Sequence, residues 1–548
     1  MCGYKIIDSL LDVGGDSLVK RIVILGGGFG GVYTARSLEK LLRPGEADIC
    51  LVNREDYFVF QPLLPEVISG SIGLLDTISP IRRLCPRTRL YVRDVDSIDL
   101  AGRIVRLTPA FRPRMLELPY DCLVIAVGST DDFSRIPGLA DHAVPFRNLG
   151  DALRLRNAAL HALEEADNET DPDFRRALLT FVVAGGGFSG VEVMAELNDF
   201  VRAALRHFHS LRQEEISCVL VHSGDRILPE IAATLASYAQ KLLTKRGVTL
   251  KLNARLAAAS ADSAALSTGE TIPTRTLIST VPAGPVPLIQ SLECEKEHGK
   301  LPTNSRLELK GFEGQVWVLG DCAAIHLDDG SAAPPTAQHA VREARTAAAN
   351  VVAALRGQTQ TAFAFGGLGK MGSLGHHSAI AEVLGFRFSG FPAWFLWRTI
   401  YLMKLPGLNR KLRVALDWLT ALLFPTDLVQ LRVQASSNIC TQHYERGETV
   451  FQQGDLGDSM YVVRSGEVEI IRDGIGVTRL GAGEYFGELA LLQDHGRSAT
   501  VRATQRTDVL LIPKREFVQL LSAFPEFSAS LAGVAAQRGA RASKEPAP

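Results

Sequence analysis

Two runs of glycine in this 548-residue chain could hold phosphate groups. Gly26-x-Gly28-x-x-Gly31 follows a strand-like run at 21–25, and Gly185-x-Gly187-x-x-Gly190 follows one at 181–184. In such a turn the first glycine makes the bend, the second lets backbone approach a pyrophosphate, and the third lets the following helix pack on the strand. The helix N-terminus then offers amides to the phosphates. A single GxGxxG also occurs in turns without a ligand; two copies in the same context point to two dinucleotides, one resident and one exchanging. A flavin and a nicotinamide are the natural pair, because hydride transfer needs their rings stacked. Where an acid ordinarily grips the adenosine ribose, the first copy has Asn53 and the second His222. Asn53 can still hydrogen-bond hydroxyls, whereas His222 brings no negative charge against a 2′-phosphate, so NADH and NADPH both stay open. Gly128, and Asp321 after Gly320, end two further apolar runs (123–128 and 316–321) and could meet a ribityl or ribose chain; a plain turn or helix cap is the alternative.

The elements that must position these residues repeat at about 160 residues, strand, turn, helix, strand, as in two doubly wound α/β units. Near residue 360 the texture turns Gly-rich, then aromatic and basic over 391–424. Past 436, short alternating segments at 460–463 and 468–471 alternate with glycine turns, as in a small antiparallel barrel. Residues 541–548 read as a tail. With 59 Lys and Arg against 60 Asp and Glu, no basic field argues for nucleic acid. The eight cysteines are scattered: there is no metal-binding cluster and no redox-active pair. Cys322, beside Asp321, reads as a small buried residue. Neither a secretory leader nor a run of about 18 uncharged apolar residues is expected.

Residues 20–430 resemble the type II NADH dehydrogenases, single-chain flavin NAD(P)H:quinone oxidoreductases. The resemblance rests on 26–31, Phe-Val-Phe-Gln-Pro-Leu-Leu-Pro-Glu at 58–66, 185–192, Gly320-Asp321 and Pro-Pro-Thr-Ala-Gln-His-Ala at 334–340. It implies two Rossmann-like units. FAD would lie on the first, with Gly26, Gly28, Gly31, Asn53 and Asp321; NADH or NADPH on the second, with Gly185, Gly187, Gly190 and Glu192. It also implies that Glu192 lies near the nicotinamide and Gln338 where quinone meets flavin. Arg342 stands where the family often repeats a Gln. The division expected is 20–150 with 300–360 for FAD, 151–299 for NAD(P)H, 361–434 for membrane docking and 436–540 for the barrel.

A membrane quinone must be met at a lipid bilayer surface. Residues 391–432 hold Arg398, Lys404, Arg410, Lys411, Arg413 and Arg432 against Asp417 and Asp427, with Trp394, Trp397 and Trp418. Leu412, Leu416, Leu419 and Leu423 make one stripe of an amphipathic helix, opposite Arg410, Arg413, Asp417 and Thr420. The expected use is peripheral docking on the cytoplasmic face of the cell membrane, with tryptophans and cations at the headgroups. A homodimer contact is the other use for such a stripe.

From about 436 the chain resembles a cyclic-nucleotide-binding domain, on Gly-Asp-Leu-Gly-Asp-Ser-Met-Tyr at 454–461, Ser-Gly-Glu at 465–467, Phe-Gly-Glu-Leu-Ala-Leu-Leu at 486–492 and Arg-Ser-Ala-Thr at 497–500. Glu488 can accept a ribose hydroxyl and Arg497 can clamp a cyclic phosphate. Gly487, Leu489, Ser498 and Ala499 complete the expected site, with cAMP favoured over cGMP on Ser498-Ala499. The function expected is FAD-dependent, non-pumping NAD(P)H:quinone reduction biased by a cyclic nucleotide. The rivals are a reductase of a soluble acceptor such as ferredoxin, and a non-enzymatic cyclic-nucleotide sensor on a flavin scaffold.

Overall fold

Strands of isoleucine, valine and leucine with no polar break are suited to burial on both faces, the condition of a parallel sheet covered by helices. In the computed structural model, Ile22 to Leu25 are wholly buried, inside a five-stranded sheet ordered Val316–Val318, Cys122–Ile125, Lys20–Leu25, Ala47–Asn53, Arg89–Val92. All its pairings are parallel. The structure describes residues 19–109, 114–280, 283–327, 330–423, 429, 440–493, 496–514 and 516–518.

A second five-stranded parallel sheet runs Ala143–Pro145, Thr276–Ser279, Thr180–Ala184, Ser217–Val221, Val248–Lys251. The repeat read from the sequence therefore extends to strand order, because in both sheets the strand entering the glycine turn is central. Its two neighbours lie on either side, so the connections part there, and a crevice opens at the strands' C-terminal ends. Helices Phe29–Leu41 and Phe188–Ala204 leave the two turns. The first packs against helix Ala337–Leu355, whose Ala344, Ala347, Ala348 and Val351 are fully buried; small side chains let two helices come close. The second contributes Val193, Met194, Leu197 and Val201 to the core of its unit.

Beyond these lie an antiparallel sheet of Gly369–Ser373, Ala379–Val383 and Phe386–Gly390, then helices Phe391–Lys404 and Leu408–Leu423. Among the described residues no helix is long and apolar enough to cross a membrane. The chain divides into two compact units, 1–106 with 118–432, and 107–117 with 433–548. In the second unit two four-stranded antiparallel sheets, centred on Ser459–Ser465 beside Thr507–Pro513 and on Glu467–Arg472 beside Thr500–Ala503, enclose Val463, Val468, Phe486, Val501 and Val509. The expected fold class is borne out. The boundary expected near 435, the tail at 541–548 and the side chain of Leu423 lie outside the described residues.

Candidate functional site: two nucleotide cradles, an acid pocket and a buried arginine

The two glycine turns are built on one plan. Gly26 (φ +103°) and Gly185 (φ +123°) bend where an added Cβ would stand 2.3 Å from Ala126 O and from Thr280 Oγ1 respectively. A Cβ on Gly31 would meet Gly26 O at 1.8 Å, and one on Gly190 would meet Gly185 O at 1.9 Å. At Gly28 nothing lies within 4 Å, and at Gly187 only Glu230 Oε1, at 3.6 Å. Each turn thus packs tightly at its first and third glycines and is open at its second, which fits a pyrophosphate laid across the backbone. The strand-end side chains latch the turns: Gly27 N donates to Asn53 Oδ1 (2.8 Å) and Gly186 N to His222 Nδ1 (3.2 Å).

Gly128 (φ +68°) and Gly320 (φ +73°) both turn in the left-handed region. Asp321 takes a hydrogen bond from Ser129 Oγ (3.0 Å), which ties these two strand ends together. Glu343, absent from the expected set, accepts the Gly320 N–H at 2.7 Å. Burial pushes its carboxyl up to about 7. A cleft beside it is lined by Lys300, Gly320, Pro334, Thr336, Ala340 and Glu343. Burial likewise lifts the Cys322 thiol to about 12, which removes it as a redox thiolate.

Gln338 and Glu192 are brought to opposite ends of one strand, Gly369–Ser373. Gln338 Nε2 donates to Gly369 O (3.0 Å) and its Oε1 accepts from Leu368 N (3.1 Å). Glu192 Oε1 accepts from Ser373 N (3.0 Å). Four residues of strand hold the two attachment points roughly 13 Å apart. Glu192 belongs to an acid pocket that the sequence did not disclose. Glu196, one turn along the same helix, is buried, and so is Glu66. Burial raises both helix carboxyls to about 8; the Glu196 charge adds to the effect at Glu192, and the Glu66 charge adds at Glu196. Glu66 is also raised by burial, against the pull of Arg398. Its oxygens take Trp418 Nε1 (2.6 Å) and Arg398 Nη2 (3.5 Å).

This geometry corrects the expected headgroup belt. Trp394, Trp397 and Trp418 are buried, and Arg398 lies stacked on two of them, 4.2 Å from the Trp394 ring and 4.5 Å from the Trp418 ring. Arg410 is turned inward onto Asp76 (2.7 Å), and Asp417 accepts from Gly73 N (3.1 Å). Arg410, Val414, Asp417 and Trp418 of helix Leu408–Leu423 therefore face the protein, while Arg413 and Thr420 of its polar side stay exposed. Leu412, Leu416 and Leu419 are left 62%, 59% and 57% exposed, with Phe395 and Met403 beyond them on the preceding helix at 62% and 70%.

In the second unit Arg497 is buried over the faces of Phe451 (4.1 Å) and Tyr461 (5.6 Å). Nη1 donates to Gly487 O (2.8 Å), Nε is buried without a hydrogen-bond partner among the described residues, and Nη2 stands 3.9 Å from Asp458 Oδ1. A buried guanidinium so sparsely paired is suited to an anion. Glu488 is buried nine positions earlier in the chain, beside Gly487 (φ +86°); Leu489 is half-buried, Ala499 buried and Ser498 exposed.

Residues 20–344 match the family described as pyridine nucleotide-disulphide oxidoreductase, and 368–427 match the NDH2 C-terminal domain. The chain belongs to the type II NADH dehydrogenases. Residues 441–524 match the cyclic nucleotide-binding domain. A demethylphylloquinone reductase of Synechocystis is 32% identical over 410 residues, 73% of this chain and 96% of that protein. The type II NADH:quinone oxidoreductase Ndh of Mycobacterium tuberculosis is 29% identical over 417 residues, 73% of this chain and 87% of its own length. NDH2 from Plasmodium falciparum, solved with NADH, shares the fold at TM-score 0.68 and 18% identity, over 75% of this chain and 99% of that one. These findings bear out the expected family and enzyme class of this type II dehydrogenase, together with its appended domain.

Proposed function

We propose that this chain is a peripheral membrane enzyme that oxidises NADH and reduces a membrane quinone, under the bias of a cyclic nucleotide. The observation that carries the reading is the single strand that ties Gln338 to Glu192, with the latter on the helix leaving the second cradle. Gly26, Gly28, Gly31, Asn53, Gly128 and Asp321 would hold FAD, which when bound supplies the two-electron relay between the two substrates. Gly185, Gly187, Gly190 and His222 would hold the nicotinamide dinucleotide. The overall reaction takes one proton from the medium beyond the hydride that NADH gives up. Glu192, with its carboxyl raised to about 8, keeps a proton at neutral pH and is suited to hold one near the reacting ring. Gln338 would orient the quinone. Residues 20–150 with 300–360, 151–299, 361–434 and 436–540 are the corresponding FAD, nucleotide, docking and barrel parts. The exposed leucine stripe would meet the cytoplasmic face of the membrane, where a lipid quinone is reached.

Purified enzyme assayed with NADH on quinone-loaded vesicles tests this. Turnover is expected with both lipid and short-chain quinone, and Leu416→Asp should lose the lipid-quinone rate while keeping the short-chain one. Equal loss of both, or no quinone turnover, would contradict the reading. Glu488, Arg497, Ser498 and Ala499, with Gly487 and Leu489, are the proposed cyclic-nucleotide contacts. The ligand acts only if two enzyme states bind it with different affinity. Titrated cAMP or cGMP should shift the NADH oxidation rate or vesicle affinity, and Arg497→Leu should abolish the shift. Binding without either shift would end the regulatory claim.

A further inference from the structure

The second cradle carries an imidazole at the position where adenosine ribose is read. His222 Nδ1 accepts the Gly186 N–H, so the ring is held as the tautomer with hydrogen on Nε2. Nε2 lies on the Gly224 side, since a Cβ on Gly224 would stand 2.9 Å from it. What this side chain offers beyond the turn is therefore a donor, whereas selection for an unphosphorylated ribose needs an acceptor that takes the 2′-hydroxyl and repels a phosphate.

The surrounding charges point the same way. His222 O accepts from Ala254 N (3.0 Å) and Gly224 O from Asn253 N (2.9 Å), which binds the segment carrying Arg255 beside the strand end. Arg226 follows two residues after Gly224 and donates to Pro229 O (3.2 Å), with no carboxylate on its guanidinium among the described residues. Of the acids at this corner, Glu270 is taken by Lys251 Nζ through both oxygens (2.8 and 2.9 Å), and Glu230 lies against Gly187. Asp225 is exposed, three residues after His222.

We propose that this cradle accepts NADPH as well as NADH, with the 2′-phosphate received by His222 Nε2–H between Arg226 and Arg255. The proposal rests on the second unit being the nicotinamide site. Its test is direct binding of each reduced nucleotide to the FAD-loaded full chain by calorimetry, alongside kcat/KM for each. The wild type should bind NADPH within about tenfold of NADH. His222→Glu should weaken NADPH by about tenfold or more, with no matching loss for NADH. Asp225→Asn should leave the ratio unchanged. If the Glu variant does not fold, His222→Asp makes the same comparison. NADH binding with NADPH rejected a hundredfold overturns the proposal, and so does a ratio moved by Asp225→Asn but not by the acid at 222. Binding of neither nucleotide overturns the nicotinamide reading and this proposal with it.

Discussion

Tyr33 and Glu192 occupy the same place in the two repeats, two residues past the third glycine. Around Tyr33 the first cradle is closed by aromatic rings: Phe29 and Phe58 each have centroids 6.3 Å from it, and Phe29 stands edge-on to Phe58 at 5.0 Å. Around Glu192 the second is lined by Glu196, Glu66 and the Ser373 N–H. The two glycine turns follow one plan, in which the third glycine would clash with the carbonyl of the first. The difference lies in the helix face that leaves the turn. An apolar face suits a cofactor that stays, and an acid-lined face suits a site where a substrate exchanges and a proton must be found.

The largest effects should separate the cradles. Gly31→Ala drives a Cβ onto Gly26 O, and the purified protein is expected to be colourless, as read by its visible absorbance. Gly190→Ala drives one onto Gly185 O; that protein should stay yellow and lose NADH affinity by about a hundredfold, measured by calorimetry. Loss of both properties in both variants would break the division of labour.

A smaller effect sharpens it. Glu192→Gln should lower kcat by about ten- to a hundredfold with KM for NADH changed far less, whereas Tyr33→Phe should stay within about twofold of wild type. In the Glu192 variant the pH profile should also lose its limb near 8.

The smallest effect is on stability. Glu196 has a folded value of about 8 against an ordinary 4.5. Between those values the unfolded chain releases a proton that the native one keeps, so its contribution is full below about 4.5 and is lost as pH rises towards 8. Glu196→Gln should therefore raise Tm by a few degrees relative to wild type at pH 8 and by less at pH 5. A gap that shrinks with rising pH would contradict the burial of this carboxyl.

The sequence revealed the cradles because their constraints are local: three glycines, a strand before and a helix after. The acid pocket escaped it because its partners are remote in sequence. Glu66 and Arg398 are 332 residues apart, and Glu66 and Trp418 are 352 apart. Glu343 was missed for the same reason, its partner being a backbone amide 23 residues away. The spacing of Leu412, Leu416 and Leu419 correctly gave one helical stripe. It could not say which side of that helix meets protein, and so Arg398, Arg410 and the tryptophans were assigned to the headgroups although they face inward. In the barrel Arg497 and Glu488 were legible from a short motif, while the stacking of Arg497 on Phe451 needed the fold.

The most direct test of the central claim, that one chain couples a resident dinucleotide to an exchanging one and hands the electrons to quinone, is anaerobic mixing of the yellow protein with NADH and then with a short-chain quinone. The account predicts that the visible absorbance bleaches with NADH and returns in full when quinone is added. A colour that NADH leaves unchanged, or that quinone fails to restore, would contradict it.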